Sequence, residues 1–584
     1  MNAPRARANM CATGGGRSRR GVVSHVVAGV LVLAFAACAA PSSPSKAPGT
    51  PAAPAQRSGP KALTIALPVE PPALGGSVII GVSAVPSRYF REFPNAYLTT
   101  HDPQDQPAPW LAAALPSLDD GTWKVLDDGR MEVTWKLRPG IKWQDGAALT
   151  SDDLGFSWEI GKDLTTGVAS QSVARYIDSV ATPDPLTAVF TWGTVSSLGG
   201  VAGVRELDVL PRHVLDAAER VGLADNPYFT DPAVFVGSGP FRPTAWERGR
   251  SISLEAFHDY FLGRPKIDQV IFSIIPDPST ALTSVLSGQV DVGFWAINYE
   301  GAKVLQHEWK STGGTVDMQA NNARHVLPQF RPEYASPREL LDVGVRRALM
   351  YALDRDELAE TAAAGAARPT NSTTYPDSAL GRVVEAAAPR YDYDPARAAA
   401  LFAEAGWQKG ADGMLSKGGE RFQLQYRTGA GATDGSLIFA VMQQQLKRSG
   451  VDLEINVAPG ADLQAGATFS GLSFRGLPDN QTGFLALFNS AMIAGAQNRW
   501  FGTNVHGYNN PAADELLVRV DKSLQPDARM AAWAEANRAL LEDVAYMPLY
   551  NYPFPYLVRA GITGPLPANP INPPSYFVHT WDLQ

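Results

Sequence analysis

The sequence of 584 residues has two cysteines, Cys11 and Cys38, and both lie near its start. The rest of the chain therefore has no thiol for disulfides, cysteine-based metal sites or a cysteine nucleophile. The eight histidines are scattered and form no pair at the spacing of a zinc site. No Gly-x-Ser-x-Gly motif and no phosphate-binding glycine loop occurs. We therefore predict that the protein is not an enzyme and that it needs no cofactor and no metal.

Basic charge is scarce relative to acidic charge, with 50 lysines and arginines against 58 aspartates and glutamates, a net charge of −8. Residues 1–37 hold five of the arginines and no acidic residue, so the remainder has 45 basic and 58 acidic residues, or −13. Proteins that bind nucleic acid or anionic lipid by charge need a positive surface. We therefore expect no nucleic-acid partner.

The apolar stretch at 22–37 is too short and too rich in small residues for a good transmembrane helix. It follows a basic region and ends in Ala34-Phe35-Ala36-Ala37-Cys38. Small residues just before a cysteine resemble a bacterial lipoprotein signal, in which the cysteine becomes the lipidated N-terminus. We predict a lipoprotein signal peptide at 1–37 and lipidation at Cys38. Ordinary cleavage without lipid remains an alternative, and export by either the general or the twin-arginine route is open.

The segment at 38–60 is rich in alanine, proline and serine and has almost no large apolar residue. Such a composition is typical of a disordered tether between a membrane anchor and a folded domain. The remaining residues, 61–584, exceed the length of one typical domain, so we expect two or three domains.

The stretch from Phe235 to Phe294 shows the clearest pattern of secondary structure. Residues 250–257 alternate between apolar and polar side chains, as in a half-buried strand, and a short apolar run at 270–275 indicates a buried strand. Ser279 can cap a following helix, which ends at Gly288 before a last strand. The order strand, strand, helix, strand predicts an α/β layer.

Three further helix starts can be predicted from capping residues. Thr150 or Ser151 can cap a helix, and Ser336-Pro337 precedes Glu339 in the pattern of a capping box. Asp394 can cap a helix that begins at Pro395 and ends at Gly406.

Several motifs along the chain resemble, in order, those of the extracytoplasmic solute-binding proteins of ABC importers, in the oligopeptide/dipeptide-binding family (family 5). They are Leu137-Arg138-Pro139-Gly140-Ile141-Lys142-Trp143-Gln144-Asp145-Gly146, Gly237-Ser238-Gly239-Pro240-Phe241, Ile275-Pro276-Asp277, Gly288-Gln289-Val290-Asp291, Val345-Arg346-Arg347-Ala348-Leu349 and Tyr508-Asn509-Asn510-Pro511. An ordered series of matches is far more specific than any one short motif.

The resemblance implies an α/β, two-lobed periplasmic-binding-protein-like type II fold with an extra subdomain inserted in lobe one. Lobe one would comprise residues 61–95, 230–325 and 546–584, with the inserted subdomain at 96–229 and lobe two at 326–545. The chain would cross between the lobes near 322–329 and 545–552.

The resemblance also implies a function: a substrate-binding lipoprotein that captures a small solute, foremost an oligopeptide, in the cleft and delivers it to the permease subunits of an ABC importer. The protein would be an exported monomer, anchored by lipid to the outer face of the cell membrane or held in the periplasm. A cell-surface hydrolase or peptidase, and a solute-sensing receptor domain without transport, are the alternatives.

Aromatic, amide and charged side chains in loops suit ligand recognition in such a cleft. The ligand-binding residues that we predict are Phe474, Arg475, Asp479, Arg499, Trp500, Asn504 and Tyr550. Peptide-binding members carry a Trp-x-x-Asp-Tyr-x-Asp-Pro pattern near the first of these, and only Pro478-Asp479 matches part of it here. The identity of the solute is therefore open.

Overall fold

The structure is a computed structural model that describes residues 59–75, 89–102, 106–168, 171–203, 206–318, 320–429, 435–458, 463–477, 481–500, 502–565 and 577–584. The predicted signal peptide, Cys38 and nearly all of the predicted tether lie outside these ranges. Within them, no helix has both the length and the apolar character needed to cross a membrane.

The strands of the described residues are short and follow one another along the whole chain. They are β1 (Ala62–Leu67), β2 (Thr99–His101), β3 (Pro107–Pro109), β4 (Trp123–Val125), β5 (Met131–Lys136), β6 (Ile177–Asp184), β7 (Thr187–Trp192), β8 (Phe241–Glu247), β9 (Ser251–Ala256), β10 (Gln269–Ile274), β11 (Val292–Phe294), β12 (Thr315–Asp317), β13 (Ala320–Pro328), β14 (Arg368–Pro369), β15 (Gln408–Lys409), β16 (Leu415–Lys417), β17 (Glu420–Arg421), β18 (Gln423–Gly429), β19 (Asp452–Ala458), β20 (Leu472–Leu477), β21 (Met547–Pro553), β22 (Tyr556–Val558), β23 (Ile562–Thr563) and β24 (Asp582–Leu583).

The α-helices of the described residues alternate with these strands, as the predicted α/β class requires. They are α1 (Ser151–Lys162), α2 (Gln171–Ala174), α3 (Arg212–Leu215), α4 (Pro278–Leu286), α5 (Tyr299–Glu308), α6 (Val343–Tyr351), α7 (Arg355–Ala363), α8 (Ala379–Ala387), α9 (Pro395–Glu404), α10 (Gly435–Arg448), α11 (Leu463–Ala467), α12 (Gln481–Phe488), α13 (Pro511–Lys522) and α14 (Pro526–Glu542).

Two large mixed sheets define the two lobes. The sheet of lobe one has the order β12-β22-β11-β1-β10-β9-β8, and that of lobe two has the order β14-β21-β13-β20-β18-β19. In lobe one, β1 lies at the centre and pairs in parallel with both β10 and β11. The alternation predicted for β9 is confirmed, because Ile252, Leu254 and Ala256 are buried while the residues between them are half-buried.

A third sheet, with the order β4-β5-β7-β6, lies between β1 and β8 in the sequence and belongs to the region predicted as an inserted subdomain. Small sheets formed by β15-β16-β17, β2-β3 and β23-β24 complete the described strands. Trp135 and Trp192, from β5 and β7, belong to a cluster of buried apolar side chains that also includes Phe488 and Trp533 of lobe two. The inserted region therefore packs against lobe two.

The chain passes between the two large sheets at points that differ from those expected. β12 is in the lobe-one sheet and β13 is in the lobe-two sheet, so the chain first passes between the sheets after Asp317 and before Ala320. β21 and β22 place the second crossing at 554–555. The strands at 320–328 and 547–553 pair with each other in lobe two, which is the physical reason for this correction. The two crossings therefore lie at other residues than predicted, and the remaining lobe boundaries given above are still proposals.

The predicted helix starts have mixed outcomes. Thr150 caps α1 and Asp394 caps α9, as predicted. Ser279 does not cap α4, because Asp277 accepts the hydrogen bond from the backbone of Thr280 and Pro278 occupies the first helical position. The predicted capping box after Ser336 is also wrong. A 3₁₀ turn follows there, and Asp342 caps α6 instead.

Candidate functional site

The two lobes meet at a stacked pair of aromatic rings beside the second crossing. Trp295 directly follows β11 of lobe one, and its ring lies 3.8 Å from that of Phe554 with an angle of 20° between the planes. Tyr89 contacts Trp295 edge-on at 5.5 Å. The backbone N–H of Trp295 donates to Pro555 O at 3.2 Å. This pair therefore fixes the end of the lobe-one strand to the crossing segment.

Arg324 of β13 lies next to this pair, on the lobe-two side. Its guanidinium carbon is 4.9 Å from the ring of Phe554, 5.5 Å from Tyr552 and 5.4 Å from Phe474. A guanidinium at these distances from aromatic faces is held by cation–π attraction. Such a cation has a fixed direction, and a guanidinium is a donor whose geometry suits carboxylate and carbonyl groups. We call Arg324, Trp295, Phe554, Tyr552 and Phe474 the crossing cluster.

The crossing cluster shares one sheet with three residues predicted from the sequence. Phe474 is opposite Val326 in β20, and it is half-buried against the core of lobe two. Arg475 is the next residue of that strand and is opposite His325. Tyr550 is opposite Arg324 in β21, where its side chain is fully buried.

Arg499 and Trp500 lie together in a separate loop of lobe two. Both have left-handed backbone conformations, with φ of 53° and 67°. Left-handed conformations are costly for residues other than glycine and are concentrated at functional sites. Trp500 is half-buried and its N–H donates to Gly495 O at 2.8 Å. Arg499 is exposed, and its side chain reaches the carbonyl of Leu164 in the inserted region at 3.5 Å.

Asn504 is fully buried and its amide holds the same loop together. Its Nδ2 donates to the carbonyls of Asn489 and Tyr508, at 3.1 and 2.8 Å, and its Oδ1 accepts from the N–H of Tyr508 at 3.1 Å. In this arrangement the side chain positions the loop that carries Trp500. The sequence predicted that Asn504 contacts the ligand, whereas these hydrogen bonds favour a positioning role.

Arg331 ties that loop to its neighbours. The guanidinium donates to the carbonyls of Ala467, Ala494 and Val505, at 2.6, 2.7 and 3.1 Å. Burial lowers the pKa of Arg331, while the charges of Glu333 and Tyr334 oppose that effect. The guanidinium also donates to Gln329 Oε1 at 3.5 Å, so the loop with Trp500 is anchored by a buried cation that bonds mainly to backbone carbonyls.

Two predicted site residues, Asp479 and the lipidation site Cys38, lie outside the described residues. The other six fall into two groups: Phe474, Arg475 and Tyr550 in the lobe-two sheet, and Arg499, Trp500 and Asn504 in a separate loop. Arg324, Trp295 and Phe554 were not predicted. A signal for Trp295 was available, because it follows the strand after the Gly-x-Val-Asp motif, where α/β proteins commonly place ligand contacts.

Comparison with known proteins gives a family and a set of similar structures. The family described as bacterial extracellular solute-binding proteins, family 5 Middle, matches residues 106–491. The oligopeptide-binding protein AppA of Bacillus subtilis is 25% identical over 508 residues, which cover 82% of this chain and 87% of AppA. Protein XP55 of Streptomyces lividans is 28% identical over 448 residues, covering 75% of each chain.

Solved structures share the two-lobed type II fold. The structure of Bacillus subtilis AppA in complex with a nonapeptide has a TM-score of 0.74 at 22% identity, covering 90% of this chain and 100% of AppA. NikZ from Campylobacter jejuni, in complex with Ni(L-His), also has a TM-score of 0.74, at 20% identity, covering 89% and 99%. At these identities the likeness shows the fold and leaves the solute open.

Proposed function

The chain belongs to the bacterial extracellular solute-binding proteins of family 5, and on that premise we propose that it captures an oligopeptide between its lobes and delivers it to an ABC importer. The relatives named as oligopeptide-binding and as ABC transporter peptide-binding proteins support this choice of solute and partner. The protein would work as a monomer, without catalysis, together with the permease subunits of that importer.

The crossing cluster is the observation that carries the proposal. Trp295 belongs to lobe one, whereas Arg324 and Phe474 belong to lobe two, so a solute held here would touch both lobes at once. Aromatic faces can stack on the side chains of a peptide, and a guanidinium can bind its carboxylate or carbonyl groups. A ligand that contacts both lobes stabilises the closed arrangement relative to an open one.

In the proposal, the predicted ligand-binding residues have two kinds of role, contact with the solute and positioning of the contact residues. We assign contact with the solute to Phe474, Arg475, Asp479, Arg499 and Trp500. Tyr550 and Asn504 are buried beneath the sheet and within the loop, and they would act by holding their neighbours in position. Arg324 and Trp295 join the contact residues.

We also propose that Cys38 is lipidated and holds the protein at the outer face of the cell membrane, in line with the signal-like sequence that precedes it. An anchored binding protein remains close to its permease, which raises their effective concentration.

The test is capture of peptides by the purified chain. A random pentapeptide library is incubated with the protein, the retained peptides are eluted, and mass spectrometry identifies them. We expect enrichment of peptides by the wild type and strongly reduced enrichment by Arg324→Met. Lys124→Met, an exposed residue of β4, removes the same charge elsewhere and should retain wild-type enrichment.

The two possible failures of this test have different meanings. If the wild type retains no peptide above background, the proposed solute class is wrong. If Arg324→Met retains peptides as well as the wild type does, peptides bind elsewhere and the crossing cluster is not the site.

A further inference from the structure

The lobes have a second contact, made by the end of α13 and the start of α12 with the inserted region. Asp521, in the last turn of α13, accepts a hydrogen bond of 2.6 Å from Ser196 Oγ. Beside it, Gln481 Nε2 of α12 donates to Ser197 Oγ at 2.6 Å. Ser196 is fully buried, and its Oγ also accepts from the N–H of Leu198 at 3.2 Å. A half-buried carboxylate of lobe two is thus hydrogen-bonded to the inserted region.

Charged and titratable groups face Asp521 from every side of this contact. Arg175 and Tyr176 approach from the inserted region, Lys522 is its neighbour on α13, and Arg529 approaches from α14. The guanidinium of Arg175 donates to the hydroxyl of Tyr176, and that of Arg529 donates to the carbonyls of Ser523 and Leu524 at 3.1 and 3.3 Å. Both cations therefore already have partners other than Asp521.

Burial is the largest effect on this carboxyl group. It raises the pKa of Asp521 to about 6, although the hydrogen bond from Ser196 and the charges of Arg175, Lys522 and Arg529 all lower that pKa. The carboxylate is therefore costly to enclose in its charged form, whereas the neutral acid is not.

We propose that Asp521 is a proton-sensitive latch, which favours closure of the inserted region onto lobe two when its carboxyl group is protonated. The inference goes beyond solute capture and relies on the proposed function only for opening and closing of the lobes. It assigns to Asp521, a residue outside the crossing cluster, a role in the closing equilibrium rather than in contact with the solute.

The direction of the effect follows from the two states of the latch. In an open state Asp521 is exposed to water and its pKa returns toward the ordinary value of 3.8. The closed state then binds a proton more tightly than the open state, so closure becomes more favourable as pH falls through 6. With these two pKa values, the closing equilibrium should be roughly tenfold more favourable at pH 5.0 than at pH 7.5.

The test measures compactness without any solute. Small-angle X-ray scattering of the full chain carrying Cys38→Ala, so that no lipid is attached, gives the radius of gyration at pH 5.0 and at pH 7.5. We expect a smaller radius at pH 5.0. Asp521→Asn, which is neutral at both pH values, should have the smaller radius at both. Asp527→Asn removes an exposed carboxylate one helix away and should behave as the wild type does.

A second variant distinguishes protonation of Asp521 from other effects of low pH on the radius of gyration. Ser196→Ala removes the donor and leaves the carboxylate, so it should give a larger radius than the wild type at pH 7.5 and should still contract at pH 5.0. Circular dichroism verifies that each variant is folded. The same radius for the wild type at both pH values, or an unchanged pH response in Asp521→Asn, would overturn the inference. Because no peptide is added, failure of peptide capture does not affect this result.

Discussion

Trp500 offers the most informative single substitution, because two explanations of its position predict different results. It is half-buried and has a φ of 67°, a conformation that glycine adopts without cost. If Trp500 contacts the solute, Trp500→Gly should weaken peptide binding by about 2 kcal/mol, which is roughly 30-fold in Kd. If it serves only packing, the folded variant should bind normally.

The effect on stability can be estimated separately. Removing a half-buried indole costs about 2–3 kcal/mol of apolar burial. Glycine at this position removes about 1 kcal/mol of left-handed strain. The free energy of unfolding should therefore fall by roughly 1–2 kcal/mol, which leaves the protein folded at room temperature.

A matched control exists within the chain. Phe577 is also half-buried and left-handed, with a φ of 59°, but it lies near β24 of the described C-terminal segment and outside both groups of site residues. Phe577→Gly should cost similar stability and leave affinity unchanged. Urea denaturation measures stability, and isothermal titration calorimetry measures the affinity for the most strongly retained pentapeptide. If Trp500→Gly binds that peptide with wild-type affinity, Trp500 is not a contact residue.

Three further predictions concern other parts of the molecule. Arg324→Met should weaken binding of the same pentapeptide by about 1.5 kcal/mol, roughly tenfold, because a charge-assisted hydrogen bond is lost; calorimetry measures it, and unchanged affinity would contradict the role of Arg324. Arg331→Met should lower the free energy of unfolding by roughly 3 kcal/mol, because the carbonyls of Ala467, Ala494 and Val505 lose their donor; a urea midpoint equal to that of the wild type would refute this role. Cys38→Ala should release the folded protein from the membrane fraction, as judged by cell fractionation and circular dichroism, and continued membrane association would rule out a lipid anchor at this residue.

Capping residues in the sequence correctly predicted helices whose ends depend only on neighbouring residues. Asp394, Pro395 and Gly406 bracket α9 because a cap, a fixed φ and a left-handed glycine each act within one turn. The same reasoning was wrong for Ser279, since Asp277 and Ser279 are both good caps and the choice depends on which residue begins the helix. Pro278 decides it, because proline suits the first helical position and leaves Asp277 as the cap.

The sequence pattern could not predict contacts between segments that are far apart in the chain. Trp295 and Phe554 are separated by most of lobe two and meet only because β11 and β22 pair in the lobe-one sheet. Arg324 belongs to no motif, and its importance comes from the rings of Phe474 in β20, Tyr552 in β21 and Phe554 just after β21. Asn504 was predicted as a ligand contact on its polarity, yet its amide is engaged with backbone groups, which only the folded loop reveals.

The crossing cluster and the contact between Asp521 and Ser196 would contribute to closure in different ways. The crossing cluster combines side chains of both lobes, so a solute bound there would favour the closed arrangement. Asp521 belongs to α13 of lobe two and Ser196 to the inserted region, so opening of the lobes would separate them. The hydrogen bond between them involves a carboxyl group whose pKa is raised to about 6 by burial. On the proposed function, solute contacts at the crossing cluster would set which molecules are held, and the protonation of Asp521 would adjust how firmly the lobes hold them.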